Sequence, residues 1–400
     1  MLRNVLKATG IDAERCAGLL GVHPAIFSEW LSGQRPVPGS MLPLLSTILG
    51  VPPAVIAGSG PSGSDDAAET TPAIWFKFRG SGLGPPDSEC ALLIRQISYF
   101  VSEIEKITER PSVGWKGLFE DIQARTDRQA PPREQGRQAA RMFCASRGLD
   151  HKAEGIGELF RPNLRNMGIV VVESAFPESR LEGCSFFVGS QASERPCIFA
   201  NNARTTWFRR NAILMHEVAH AIFDSDSAGA AIDLIDSTAD DLSEERAEAF
   251  AREALAPKSV LKNVAQRHGL DWHALNETGL AHLVAGVQVE PRTVLRAGFE
   301  AGLLTEAEQA RYSNFDISGI LPQLTDHALS TQEYLRKHAE EAPEWLGKRM
   351  TTIPTRSVKL PSSYVDTVVR LMRDCEISTG KAAEFLMIDE DTLEDRFGAH

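Results

Sequence analysis

Four hundred residues, 42% hydrophobic and 24% charged, make an ordinary globular composition; at about 100–200 residues per domain the length suggests two to four domains. A net charge of −12 excludes a chain that simply coats nucleic acid, because non-specific binding needs Lys and Arg to displace counterions; one small neutral or basic module remains compatible. No apolar run approaches the roughly 18 residues that span a bilayer, Met1–Lys7 has no signal-peptide pattern, and six cysteines (16, 90, 144, 184, 197, 375) are scattered singly, so a cytoplasmic protein with free thiols and no membrane contact is expected.

Along the chain, Asp12 is placed to cap a helix over 13–20, Gly21-Val22 make a turn, and 23–32 form a second helix closed by Gly33. The stretch 57–72, AGSGPSGSDDAAETTP, has almost nothing to bury, so 58–75 is expected to be a flexible linker. Leu93, Ile97, Phe100, Val101, Ile104 and Ile107 recur at helical spacing, which makes 76–130 a helical connector. A helix over 138–147 leads to three short apolar runs, 168–173, 184–188 and 196–200, each the size of a strand in one small sheet. Beyond Asn202 the pattern is helical to the end. The expected fold class is α+β, predominantly helical, with a domain over 131–305 and a C-terminal helical region over 306–400.

Residues 376–397 repeat the pattern of 10–31. Aligned without gaps, Ile11 meets Ile377, Ala17 meets Ala383, Leu20 meets Leu386 and Phe27 meets Leu393. A looser copy lies at 282–298. All three have helix-turn-helix spacing.

The strongest chemical signal is His216-Glu217-Val218-Ala219-His220. Positions i and i+4 share a helix face, so both imidazoles can reach one ion, while Glu217, about 100° round, is placed to handle a water's proton. Two histidines in so apolar a helix are costly unless their ring nitrogens find partners. A catalytic zinc needs a third protein ligand and an open position. The next helix, with Ser243 as expected cap, carries an apolar stripe through Ala247, Phe250, Ala251, Ala254 and Leu255. At 100° per residue Glu244 lies nearest that stripe and is the expected ligand. Glu248 is the expected outer partner of the site, and Glu245 is expected in solvent. His268, His273 and His282 read as ordinary structural histidines.

The strands, the run 207–215 into H-E-V-A-H, and a second helix with Glu244, Ala247, Phe250, Ala251, Leu255 and Pro257 in place resemble the ImmA/IrrE metallopeptidases over about 135–305. Glu248 replaces the family's usual Asn, and Ala256 its Met. The resemblance implies a zincin-like core holding Zn2+ through His216, His220 and Glu244, with Glu217 as the catalytic base. It also implies an endopeptidase of narrow specificity that cuts a helix-turn-helix repressor and derepresses a stress, mobile-element or defence locus. The alternative is a transcriptional regulator or toxin–antitoxin component that uses the peptidase fold for protein binding without proteolysis. Residues 1–57 resemble the Xre/Cro-like repressor fold. His23, Ala25, Ser28 and Arg35 are its candidate contacts to operator DNA, although the start of its second helix offers no Gln, Asn or Arg for a bidentate base contact. In the C-terminal copy Asp389, Glu390, Asp391, Glu394 and Asp395 would repel phosphates, which favours protein docking there. A homodimer is left open.

Overall fold

The computed structural model describes residues 2–9, 12–49, 114–149, 156–174, 182–188, 195–201, 206–223, 240–325, 358–360 and 362–398, with short helical pieces at 56–57 and between 96 and 107. The expected linker at 58–75 and Cys90 lie outside the described residues. The five described cysteines are free.

Four helices open the chain: α1 (Leu2–Thr9), α2 (Ala13–Leu19), α3 (Pro24–Ser32) and α4 (Leu42–Leu49). Asp12 caps α2 by accepting from the Glu14 and Arg15 N–H groups, and Gly33 ends α3 in the left-handed conformation. They enclose a small core of their own around Cys16, Ala17, Phe27, Trp30, Leu45 and Ile48.

Next come α5 (Trp115–Arg125), α6 (Pro132–Ser146) and α7 (Ile156–Asn166), then β1 (Val170–Ser174), β2 (Gly183–Val188) and β3 (Arg195–Asn201). Long helices α8 (Trp207–Phe223) and α9 (Asp240–Leu255) follow, and then α10 (Lys258–Arg267), α11 (Glu277–Val287), α12 (Pro291–Glu300), α13 (Glu306–Tyr312) and α14 (Leu321–Leu324). The chain finishes with β4 (Val358–Lys359), α15 (Ser362–Arg373), α16 (Thr379–Leu386) and α17 (Glu390–Phe397).

The sheet has the order β2-β3-β1-β4, with β1 and β3 parallel and both outer pairs antiparallel. Two-residue alternation splits its side chains between two cores. Ile198 and Ala200 face a core with α8 and α9, whereas Val170, Val172, Cys184, Phe186, Cys197 and Phe199 face a second core. Both faces are buried, which is why the strands read as nearly continuous apolar runs. The second core is completed by Ile97, Phe100, Val101 and Ile104 from the connector and by Tyr364, Val368, Phe385 and Leu393 from the C-terminal helices. The C-terminal helices therefore pack on the far side of the sheet from α8.

The chain does not stay helical beyond Asn202. Val358 and Lys359 return to the sheet and pair with Ser174 and Glu173. A two-residue strand is too short for periodicity to reveal, and its conformation is set by the open edge of β1. The main core also runs from Trp115 to Leu321, on both sides of the expected 131–305.

The three similar segments are each two helices joined by three or four residues: α2/α3, α11/α12 and α16/α17. Gly21 (φ 65°) and Met387 (φ 56°), equivalent in the gapless alignment, are both left-handed, and Gln288 (φ 62°) plays the same part in the middle copy. The turn geometry is shared even where the residue is not glycine.

Candidate metal centre

Helix α8 is buried along nearly its whole length between the sheet and α9. Gly136 of α6 lets that helix approach α9 closely: a Cβ there would stand 2.2 Å from the Arg246 carbonyl oxygen. The stripe Ala247, Phe250, Ala251, Ala254 and Leu255 is buried as the helical wheel requires. One end of α9 then lies against the middle of α8. There Glu244 Oε2 is 3.0 Å from His216 Nε2, and Glu244 Oε1 is 3.3 Å from His220 Nε2. The two imidazole Nε2 atoms are 3.0 Å apart. These three side chains are a group whose ligand atoms all lie within 4.8 Å of one another.

Burial lowers the His216 pKa despite the opposing pull of Glu244, so its imidazole is held neutral, the form that binds a metal. Burial would raise Glu244, but its hydrogen bonds to the two histidines outweigh that and hold its carboxyl well below the ordinary carboxylate range. Glu217 has no exposed surface. Burial pushes its carboxyl up to about 8, partly offset by His220 and by the Ser185 hydroxyl and backbone. Neither of its oxygens has a donor at full hydrogen-bond geometry among the described residues. A buried carboxylate left so poorly satisfied, beside two imidazoles and a carboxylate whose ligand atoms converge, fits a site for a divalent metal that His216, His220 and Glu244 would hold.

Residues 164–284 match the Peptidase_M78 family, described as the IrrE N-terminal-like domain. The match contains β1 to β3, α8 and α9, and with them all four residues of the centre; it supports a metallopeptidase-type domain that takes a metal cofactor. No curated protein and no solved structure matches the chain.

The other expected residues fall as follows. The Glu248 side chain is 65% exposed and pairs with Arg252 at 3.6 Å, and its charge still reaches His216, whose pKa it acts to raise. Glu245 is not free in solvent; it forms an ion pair with Arg133 of α6. Ser243 lies inside α9, which begins at Asp240, and is not its cap. His273 pairs with Glu308 at 2.9 Å and His268 stacks on His282, which accounts for these rings structurally. In the N-terminal helices His23 is the cap of α3, its Nδ1 accepting from the Ala25 N–H at 3.3 Å. Ala25 and Ser28 are exposed, and Arg35 is held by Glu29 at 3.2 Å. Sequence reasoning missed Ser185. The signal for it was present: on β2 the α8-facing positions carry Gly183 and Ser185 where a buried strand ordinarily places large apolar side chains.

Proposed function

We propose that this protein is a zinc-dependent endopeptidase of narrow specificity whose substrate is a helix-turn-helix repressor, and that cleavage releases a stress, mobile-element or defence locus. One observation carries the catalytic part: His216, His220 and Glu244 converge beside Glu217, whose carboxyl is buried and poorly satisfied. His216 and His220 would hold the ion through Nε2, and Glu244 through its carboxylate. Zinc so held supplies an activated water and polarises a carbonyl. Glu217 contributes a buried carboxylate adjacent to the three ligands; burial raises its pKa in the metal-free chain, and a bound cation would favour the carboxylate form that accepts a proton. It takes the proton at its carboxylate as water adds to the peptide and passes it to the departing amine.

Residues 1–57 are read as an Xre/Cro-like unit that brings the peptidase to its target. His23 is occupied as a helix cap and Arg35 is paired with Glu29, so any DNA contact by this unit is limited to phosphates. The acidic α17 is read as a protein-docking face. Recognition through these outer units explains why unfolded, generic chains would not be cut.

The test is to incubate the zinc-loaded full chain and its Glu217→Gln variant with casein and with the helix-turn-helix repressor encoded beside its gene. The unsubstituted chain should cut the repressor at one or few positions and leave casein intact, and the variant should cut neither. Efficient casein cleavage would make the protein a general peptidase. An intact repressor with full zinc occupancy would favour the binding-only role.

A further inference from the structure

We propose that β2 is the positioning element for Glu217: Gly183 supplies the space its carboxylate occupies, and Ser185, two residues on along the same face, offers that carboxylate a hydroxyl donor. The inference rests on Glu217 being the proton-transfer group. Two-residue alternation turns Gly183 and Ser185 towards α8, with Cys184 and Phe186 in the core on the other face. A Cβ on Gly183 would stand 2.5 Å from Ile213 Cγ2, 3.2 Å from Glu217 Oε1 and 3.2 Å from the Phe199 carbonyl oxygen. Ile213 and Glu217 are one helical turn apart, so the strand backbone is seated between these two side chains. Gly183 has no positive φ to explain a glycine there; close approach is the reason. Two residues further on, Ser185 is buried on the same face of β2, near enough to the carboxylate to lower its pKa though short of full hydrogen-bond geometry.

A side chain at 183 would push Oε1 aside by a few tenths of an ångström, and loss of the Ser185 hydroxyl would remove the donor that β2 offers the carboxylate. Neither change touches His216, His220 or Glu244. Metal affinity and Glu217 placement are therefore separable.

The probe is acetohydroxamate bound to the full chain loaded with cobalt(II), followed by the visible spectrum of the metal. A hydroxamate chelates the ion and hands its proton to a neighbouring base, so its affinity reports the position of that base. Glu217→Gln sets the scale of the loss. Gly183→Ala alone risks misfolding against Ile213 Cγ2, so it is combined with Ile213→Leu, which removes that methyl, and Ile213→Leu alone is the control. The double variant should retain cobalt affinity and melting temperature near the control but bind hydroxamate on the order of tenfold more weakly, the size of one charge-assisted hydrogen bond. Ser185→Ala should lose about three- to tenfold, and Ser185→Thr, which keeps the hydroxyl on a strand-compatible side chain, should restore it. Hydroxamate binding at control strength in the double variant, or in Ser185→Ala, overturns the corresponding half of the proposal. If the double variant does not fold, the Ser185 pair decides alone. If Glu217→Gln binds hydroxamate as tightly as the unsubstituted chain, the role of Glu217 fails; if no cobalt binds, the metal centre fails. Each of these outcomes is distinct from failure of the strand alone.

Discussion

Glu217 and Glu244 are both carboxylates near the same two histidines, yet burial and hydrogen bonding drive them in opposite directions. Glu217, fully buried and poorly satisfied, is raised to about 8, whereas Glu244, bonded to both rings, is held low. In the metal-free chain burial thus favours the neutral form of Glu217, and hydrogen bonding favours the anionic form of Glu244. Glu217→Gln should leave the metal bound and cut the turnover of repressor by about 10²–10⁴-fold, measured as initial cleavage rate. Glu244→Ala should weaken the metal more than the roughly 10–100-fold typical of an outer partner, measured by competition with a chelator. Glu245→Ala should leave metal affinity unchanged, because that side chain is committed to Arg133. His216, His220 and Glu244 were legible in the sequence, since i, i+4 spacing and a helical wheel are local geometry. A wheel gives an angle but not a partner: it could not show that Glu248 pairs with Arg252 while its charge reaches His216. Gly183 and Ser185 left a trace as small residues at alternate positions of a strand, but alternation separates two faces without saying which one meets α8.

Helix α9 delivers Glu244, and a cluster of charges at its other end fixes how it lies. Glu300 of α12 accepts from Arg137 of α6 at 2.9 Å, from Arg252 of α9 at 3.2 Å and from Arg296 at 2.7 Å. Three helices are joined at one carboxylate whose side chain is only 12% exposed. Burial would raise its pKa, but Arg252, Arg137 and Arg296 outweigh burial and lower it below 4.5. Because the folded value is depressed, the stabilisation is fully present above the unfolded value and is lost as pH falls through the folded one. Glu300→Gln should cost about 2–4 kcal/mol at pH 7, as removing one partner strands the guanidinium groups. It should also flatten the acid-side loss of stability below about pH 4.5; denaturant titrations at pH 3.5 and 7 check both. The elements themselves were largely legible, β1 to β3 and α8 among them, because their apolar periods are long enough to register. β4 was not: its two residues are a strand only because β1 offers an unpaired edge.

At the scale of the whole chain, the sheet is the shared wall of two cores, and this links the C-terminal helices to the metal centre without placing them over it. Phe385 is fully buried against Phe100 at a ring-centroid distance of 5.4 Å. Phe385→Ala should cost about 3–5 kcal/mol. The loss should appear in the same thermal transition as release of the metal, because β2 and β3 lose the packing on one face; metal release that stays at the unsubstituted temperature would uncouple the two cores. No helix among the described residues is long and apolar enough to cross a membrane. Binding of the full chain to operator DNA should be weak and steeply salt-dependent, and Arg35→Ala should reduce the salt slope by about 1, as expected for a phosphate contact, in a mobility-shift titration over several salt concentrations.

If His216, His220 and Glu244 hold a zinc ion beside Glu217, metal content reports it without any substrate. The purified full chain, its Glu217→Gln variant and its Glu244→Ala variant are dialysed against the same metal-depleted buffer and assayed for zinc by elemental analysis. Close to one zinc per chain is expected for the first two and little for the third. Zinc absent from the unsubstituted chain, or fully retained by Glu244→Ala, would contradict this expectation.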